Sequence, residues 1–584
     1  MLQKGGMFLF ESVSPADVFT PEDFSDEHKM IASTCEDFIA KEVLPIIDEL
    51  DAQKDGLMKS LLLKAGDLGL LSTDIDEAYG GSEMGKLASI IITENVCAGG
   101  SFATGMLAHT GIGSLPIVMF GNEEQKNKYL PKLATGEFIA AYALTEPGAG
   151  SDAMNAKTKA VLSEDGKHYI LNGEKIFITN AGFADVFVTY AKIDGEKFTA
   201  FIVDKGTPGF STGAEEKKMG IKGSSTRSLV FEDAMVPAEN VLGEIGKGHV
   251  IAFNILNIGR FKLGAGTTGS AKKAIRQAVK YANQRIQFKS PISKFGMIQT
   301  KLAKMNAASY ASESAQYRLA GLIEDALADK KSGPEIGSAI GEYAIECSIS
   351  KIVGSEVLSY VVDETVQIHG GYGYVSEYPA ERFYRDSRIN RIFEGTNEVN
   401  RLIIPATLMR KAMKGEIPFM QAAMELQKEI MNLGATLPPE DGKPLYTERC
   451  MLALAKKLFI MISGSAAQKY MQKLAGEQEL IQIMADIAIE IYMVESCILR
   501  TLKAWEKDAA SAELKIDLTM AYIYDKWPAL ELLGKEALCY MESGDMLATQ
   551  IAIVKRMTRY TPVDMIKLRR QIAARIIDKE DYVC

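Results

Sequence analysis

The sequence predicts an α+β multidomain chain: an N-terminal α-helical domain over residues 1–138, a central β-barrel or sandwich over 139–245, a helical bundle over 246–415 and an all-α extension over 433–584. Three observations carry this. A chain of 584 residues is too long for one compact core. Apolar residues recur at helical spacing before residue 138 and again after 248, and between these stretches they alternate in short runs.

In the first stretch, Met30, Ile31, Phe38, Ile39, Val43, Ile46, Ile47 and Leu50 follow Ser25 and the acidic pair Asp26 and Glu27, a helix start with first-turn carboxylates. Asn122 with Gln125 three residues on makes a second expected start, a capping box. The runs HYILNG, KIFITN, DVFVTYAK, KFTAFIVD and SLVFED are rich in β-branched and aromatic residues and are separated by Gly, Asn and Asp turns, which reads as strands ending near Val241. Helices are then expected over about 249–283, 296–330, 335–368 and 380–410. LGATLPPEDGKP (433–444) reads as a connection, and the helices beyond it are expected to break near Pro528 and Pro562.

Composition excludes several classes. An apolar share of 47% with 24% charged residues is that of a packed globular chain rather than a disordered one. A net charge of -10 opposes a nucleic-acid groove, which needs a basic face. The seven cysteines are scattered without a C-x-x-C pair and read as thiols in a reducing compartment, so a cytoplasmic location is expected. The apolar stretch in MLQKGGMFLFESVSP is short for a signal peptide, and no apolar run is expected to reach the length of a bilayer span. His28, His109, His168, His249 and His369 show no ligand spacing, so no metal site is expected. Lys555, Arg556, Arg559, Lys567, Arg569, Arg570 and Arg575 stand among Ile, Met and Leu near the end, which fits peripheral membrane contact or a solvated or subunit-facing helix.

Gly264-Ala265-Gly266-Thr267-Thr268-Gly269 matches the G-x-G-x-x-G spacing of a dinucleotide fold, but it lies in a helical pattern and Gln284 stands where an acidic residue is needed. Close helix packing is the better reading. YALTEPGAGSDA (142–153) is more informative: a strand carrying Thr145 runs into a Gly-rich turn with Ser151, offering N–H and hydroxyl donors to a pyrophosphate or a polar ring, or forming a tight structural turn.

With NGEKIFITNAG (172–182), GIKGSSTRSLVFEDAMVPAENVLGEIGKG (220–248), NQRIQF (283–288), QIHGGYGY (367–374) and RIFEGTNEVNR (391–401), this block resembles the acyl-CoA dehydrogenase family over residues 25 to 410. The extension resembles, more weakly, that of the very-long-chain branch. The resemblance implies FAD between the β-domain and the last helical domain, with Tyr142, Leu144 and Thr145 along the flavin edge, Ser151 at the pyrophosphate or the CoA, and Thr179 near N5. Phe177 stands where the family usually has Trp, which keeps an aromatic face and loses an indole N–H. Arg285, Phe288, Gln367, Gly370 and Gly371 match positions that reach the FAD of a neighbouring subunit, so a homodimer is implied; Thr396 and Glu398 match further cofactor contacts.

For the chemistry, the resemblance implies removal of an α-proton from a fatty acyl-CoA by Glu394, hydride transfer to flavin N5, and electrons passed to an electron-transferring flavoprotein. The thioester oxygen would be held by the N–H of Glu394 and a ribityl hydroxyl. Asn257, Arg260 and Gly395 would line the substrate side, with Ser151. Some relatives carry the base just before the arginine, where this chain has Gly259. Two other readings stay open: an acyl-CoA oxidase, and an assembly or scaffold protein, the latter opposed by retention of Glu394.

Overall fold

The computed structural model describes residues 3–330, 332–430 and 437–584. Its first helical layer holds α1 (Asp26–Phe38), α2 (Ile47–Asp51), α3 (Leu57–Asp67), α4 (Gly85–Val96), α5 (Ser101–Leu107), α6 (Leu115–Phe120) and α7 (Glu123–Thr135). Both expected starts form. The Ser25 hydroxyl accepts from the His28 N–H at 3.2 Å, and Asn122 and Gln125 exchange side-chain bonds at 2.9 and 3.1 Å. The α1 periodicity does not continue as one helix to Leu50, because a wider π turn at Ile39–Val43 and a tight turn containing Pro45 interrupt it.

The middle layer is a mixed sheet of β1 (Ala140–Ala143), β2 (Lys159–Leu162), β3 (His168–Thr179), β4 (Val186–Ile193), β5 (Lys197–Asp204), β6 (Phe210–Glu215), β7 (Thr226–Pro237) and β8 (Val241–Leu242). HYILNG and KIFITN fuse into the single strand β3. The order is β6-β7-β3-β2-β4-β5-β8, with β1 added in parallel to β4. A barrel does not form: the outer strands β6 and β8 are not paired, so the sheet stays open and helices cover it.

The second helical layer comprises α8 (Gly248–Gln284), α9 (Gly296–Leu327), α10 (Gly333–Glu342), α11 (Ala344–His369), α12 (Pro379–Ser387) and α13 (Asn397–Met413), and the chain continues through α14 (Phe419–Glu429), α15 (Tyr446–Tyr470), α16 (Gln478–Lys507), α17 (Glu513–Met541), α18 (Gly544–Met557) and α19 (Met565–Lys579). The segment expected as one helix over 380–410 is instead two, split by the turn that carries Glu394. Gly264 to Gly269 lie inside α8. A Cβ on Gly264 would stand 2.0 Å from the Ser350 hydroxyl of α11, and one on Gly269 would stand 2.0 Å from the Glu94 carbonyl of α4, so these glycines let helices touch backbone to backbone. The connection expected at 433–444 falls partly, at 433–436, outside the described residues.

The extension is not a separate ball on a tether. Its helices α15 to α19 share one buried core with α9, α11 and Met7–Leu9. Arg500 of α16 is 1% exposed and holds Glu313 of α9 and Glu22, both at 2.7 Å. The expected break at Pro528 does not occur, since α17 runs through it; Trp527 beside it is buried, with its indole N–H on the Thr558 carbonyl at 2.8 Å. Packing thus outweighs the lost helical hydrogen bond. The break near Pro562 does occur, between α18 and α19. Among the described residues two helical stretches, Ser101–Phe120 and Tyr446–Gly476, are long and apolar enough to cross a membrane, which the sequence reading did not expect, but most of each is buried inside the fold.

Candidate active site

Three layers meet at an apolar cavity. Its wall includes Gly259, Leu263 and Gly266 on one face of α8, Ala103, Thr104 and Leu107 of α5, Thr179 at the end of β3, and Glu394. Spacings of four and three residues along α8 place its contributors on one stripe.

Glu394 sits in a strained turn. Its φ is 59° and that of the following Gly395 is 78°, a left-handed pair that costs on the order of 1–3 kcal/mol at a non-glycine residue unless its surroundings enforce it. They do. The Arg260 guanidinium donates to the Glu394 carbonyl at 3.1 Å, and the Asn400 amide donates to the carbonyls of Gly395 and Thr396 at 2.9 and 3.0 Å. Thr396 then starts α13, its hydroxyl accepting from the Val399 N–H at 3.2 Å. Asn257, expected on the substrate side with Arg260, accepts from that guanidinium at 3.0 Å through its side-chain carbonyl, so that carbonyl and the guanidinium help hold the turn.

The carboxylate lies over Gly259. A Cβ there would stand 2.5 Å from Glu394 Oε2 and 2.7 Å from Cδ, so the missing side chain is the space the carboxylate occupies. Oε2 is buried without a hydrogen-bond partner. Burial pushes the Glu394 carboxyl up to about 7, against the opposing pull of Arg260 and Lys351. A carboxylate poised near neutrality, aimed into an apolar cavity and free of competing donors, can take a proton from a weak carbon acid.

The ends of β1 and β3 and the turn after β1 supply the other face. Ile176 donates to the Thr145 carbonyl at 2.9 Å, fastening β1's end to β3. Between Lys175 and Ile178 the β3–β7 register slips, and Phe177 at this bulge has φ 59° and is 62% exposed. A bulge re-aims a side chain, and here it turns a large aromatic ring outward. Tyr142 meets Tyr190 edge to face at 5.4 Å, and its phenol is held well above its ordinary range by burial, with Glu394 adding to the effect. Leu144 has its side chain in the core, which leaves its backbone for contact. The Gly-rich turn is set by Glu146, whose carboxylate accepts from the Lys157 and Thr158 N–H groups, the Thr158 hydroxyl and buried Lys175 at 2.5–3.1 Å. Around Gly148 and Gly150 there is open space, and Ser151 and Glu398 are exposed.

The remaining expected residues lie elsewhere. Arg285 stacks over Tyr372 at 5.3 Å, beside Gly370 and Gly371, in a second depression at the far end of α8. Gln367 and Phe288 are exposed there, Phe288 at 91%, and His369 stacks on Tyr281 at 4.2 Å. Gly259 and Gln284 are 25 residues apart on α8, or roughly 38 Å at a helix rise of about 1.5 Å. The two depressions on one chain are therefore well separated. Lys351, Asn397 and Asn400 were not singled out by sequence reasoning. The two asparagines lie inside RIFEGTNEVNR, and Lys351 is a lone cation in the apolar run of α11, a signal that could have found it.

A helical–sheet–helical scaffold that sets a carboxylate in a strained turn on the wall of an apolar cavity is the architecture of an enzyme site for a substrate with an apolar body. Family models described as the N-terminal, middle and C-terminal domains of acyl-CoA dehydrogenase match residues 25–137, 141–234 and 246–409, and a further acyl-CoA dehydrogenase C-terminal domain model matches 454–556. The chain belongs to the acyl-CoA dehydrogenase family. It is 54% identical to a probable acyl-CoA dehydrogenase of Bacillus subtilis over 588 residues, covering 100% of this chain and 98% of that one. It is 37% identical to the human very long-chain specific mitochondrial acyl-CoA dehydrogenase over 445 residues, 70% of this chain and 64% of the relative. Among solved structures, the acyl-CoA dehydrogenase complexed with FAD from Bacillus anthracis superposes with a TM-score of 0.97 at 54% identity over the whole of both chains. Butyryl-CoA dehydrogenase from Megasphaera elsdenii gives 0.61 at 38% identity, covering 66% of this chain and 99% of its own.

Proposed function

We propose that the chain is an FAD-dependent dehydrogenase that introduces an α,β double bond into fatty acyl-CoA thioesters, with Glu394 as the base. The observation that carries this reading is the Glu394 carboxylate, buried and unpartnered at Oε2, on the wall of an apolar cavity. The fatty acyl chain lies along the α8 stripe, which places its thioester at Glu394, where the backbone N–H of the turn faces the enolate oxygen as charge develops. Desolvation by the bound substrate holds the carboxylate in its more basic range while it takes the α-proton.

The residues present fit a flavin. Phe177 offers an exposed aromatic face and Thr179 a hydroxyl on the same cavity wall as Glu394, and the turn around Gly148 and Gly150 leaves room for a backbone-cradled pyrophosphate. Tyr142, the Leu144 backbone, Thr145, Ser151, Thr396 and Glu398 complete this half. Bound FAD supplies the hydride acceptor that no side chain provides. Arg285, Phe288, Gln367, Gly370 and Gly371 serve the FAD of a second copy, which the length of α8 between the half-sites supports, so the working unit is a homodimer. Electrons leave to an electron-transferring flavoprotein, past the exposed Phe177.

The test is an anaerobic titration of the FAD-loaded protein with saturated straight-chain acyl-CoA. Bleaching of the flavin is expected for the native chain, and retention of flavin without bleaching for Glu394→Gln. A fully active Gln variant would overturn the assignment. Rapid peroxide formation in air would reassign the protein as an oxidase.

A further inference from the structure

We propose that Lys351 is a positioning residue for Glu394: through Asn397 it fixes the turn that carries the carboxylate, and its ammonium is a second buried cation, after Arg260, favouring the ionised carboxylate. This rests on the reading of Glu394 as the base.

Lys351 is 0% exposed on α11. Its ammonium donates to Asn397 Oδ1 at 2.7 Å, and among the described residues no carboxylate forms an ion pair with it. Such an arrangement is unusual, because a buried amine is ordinarily neutralised by a partner acid. Asn397 opens α13, three residues after Glu394, and its own amide donates to Ser355 Oγ at 3.1 Å and Glu356 Oε1 at 3.0 Å. The amide is thus pinned by α11 on one side and presents its carbonyl to Lys351 on the other.

The charges around Lys351 come from the Glu394 turn and three helices. Glu394 and Glu398 approach from the turn and α13, Arg260 from α8, and Glu356 from α11. Glu356 is already satisfied by Arg401, which also holds Asp486 of α16. Cys347, one turn earlier on α11, is kept a neutral thiol by burial. Glu394, Arg260 and Lys351 therefore form a buried cluster of one acid and two cations. Burial lowers the Lys351 ammonium to about 7, the same range to which it raises Glu394.

Removing the Lys351 charge withdraws stabilisation from the carboxylate, which then holds its proton to higher pH. The experiment measures kcat/KM against pH across the neutral range for the FAD-loaded full chain, native, Lys351→Met and Lys351→Gln. The acid limb is expected to move up by about one pH unit in both variants, a Coulomb effect of a neighbouring buried charge. Gln keeps a donor for Asn397, so a shift common to both variants isolates the charge. In parallel, the infrared C=O band of a protonated carboxylic acid, present in the cofactor-free protein and lost in Glu394→Gln, is expected to persist to higher pH in both variants. An acid limb and a band that stay in place in the Gln variant overturn the proposal whatever the rate, and Gln decides alone should Met fail to fold. If instead Glu394→Gln stays active, the base assignment fails while the infrared titration still reports whether Lys351 acts on Glu394.

Discussion

Gly259→Ala is the sharpest perturbation the geometry offers. In an ordinary helix this change stabilises by roughly 0.5–1 kcal/mol, because alanine loses less backbone entropy. Here the new methyl stands 2.5 Å from Glu394 Oε2 and 2.7 Å from its Cδ, well inside contact distance. The helix backbone cannot yield, since five residues on Gly264 already packs against α11. The carboxylate must therefore move by about 1 Å, and a displacement of that size at the reacting group costs on the order of 100-fold in rate, about 2.7 kcal/mol of transition-state stabilisation. The assay is the anaerobic rate of flavin bleaching by acyl-CoA at saturating substrate, with thermal melting of the same sample. A slowed rate with an unchanged or raised melting midpoint is expected. A native rate would refute the placement of the carboxylate over Gly259, and with it the argument that a glycine here is required for a base at 394.

Other outcomes follow from the same geometry. The acid limb of kcat/KM is expected near pH 7, because Glu394 is raised from its ordinary 4.5 to about 7 by burial and only the ionised form takes the proton. For stability the sign is opposite to that of a salt-bridged acid: between about 4.5 and 7 the folded protein holds a proton the unfolded chain has lost, so this contribution falls as pH rises through that window. Glu394→Gln should then raise stability above pH 7, by up to about 3 kcal/mol, measurable as a denaturant midpoint at pH 8 against pH 5. Mixed dimers test the two half-sites: Glu394→Gln and Arg285→Glu chains are each expected to be inactive alone, and their heterodimer to regain one working site of two. No recovery would place Arg285 in the same chain's site. Arg500→Met leaves buried Glu313 with Lys272 as its remaining cation and solvent-accessible Glu22 with Lys515, and is expected to cost about 1–3 kcal/mol, read as a lower unfolding midpoint; an unchanged midpoint would show the extension is not locked through this residue.

The expected element types proved right where local chemistry decides them. The Ser25 start and the Asn122–Gln125 box are set by side chains three residues from the groups they satisfy, and the strands by alternation over a few residues. The errors are of another kind. Alternation cannot tell an open sheet from a barrel, since closure depends on whether strands far apart in sequence pair. Pro528 reads as a breaker on local grounds, yet the burial of Trp527 and Leu530 keeps α17 whole. The run expected as a helix over 380–410 hides the turn at Glu394, because nothing local shows that Arg260, 134 positions earlier, holds its carbonyl.

By itself the sequence determined the family, the order of helical, sheet and helical layers, and the identity of Glu394 as the candidate base, all through short blocks whose residue types are read without knowing their neighbours. Tertiary structure alone decided that the carboxylate fills the space over Gly259, that Asn257 and Arg260 hold its turn, that Lys351 stands beside it, and that Arg285 lies at the other end of a long helix. The physical reason is the same in each case. Burial and electrostatic coupling depend on distances between elements far apart in the chain, and the Glu394 carboxyl, ordinary as a solvated side chain, is pushed up to about 7 only where those elements close around it.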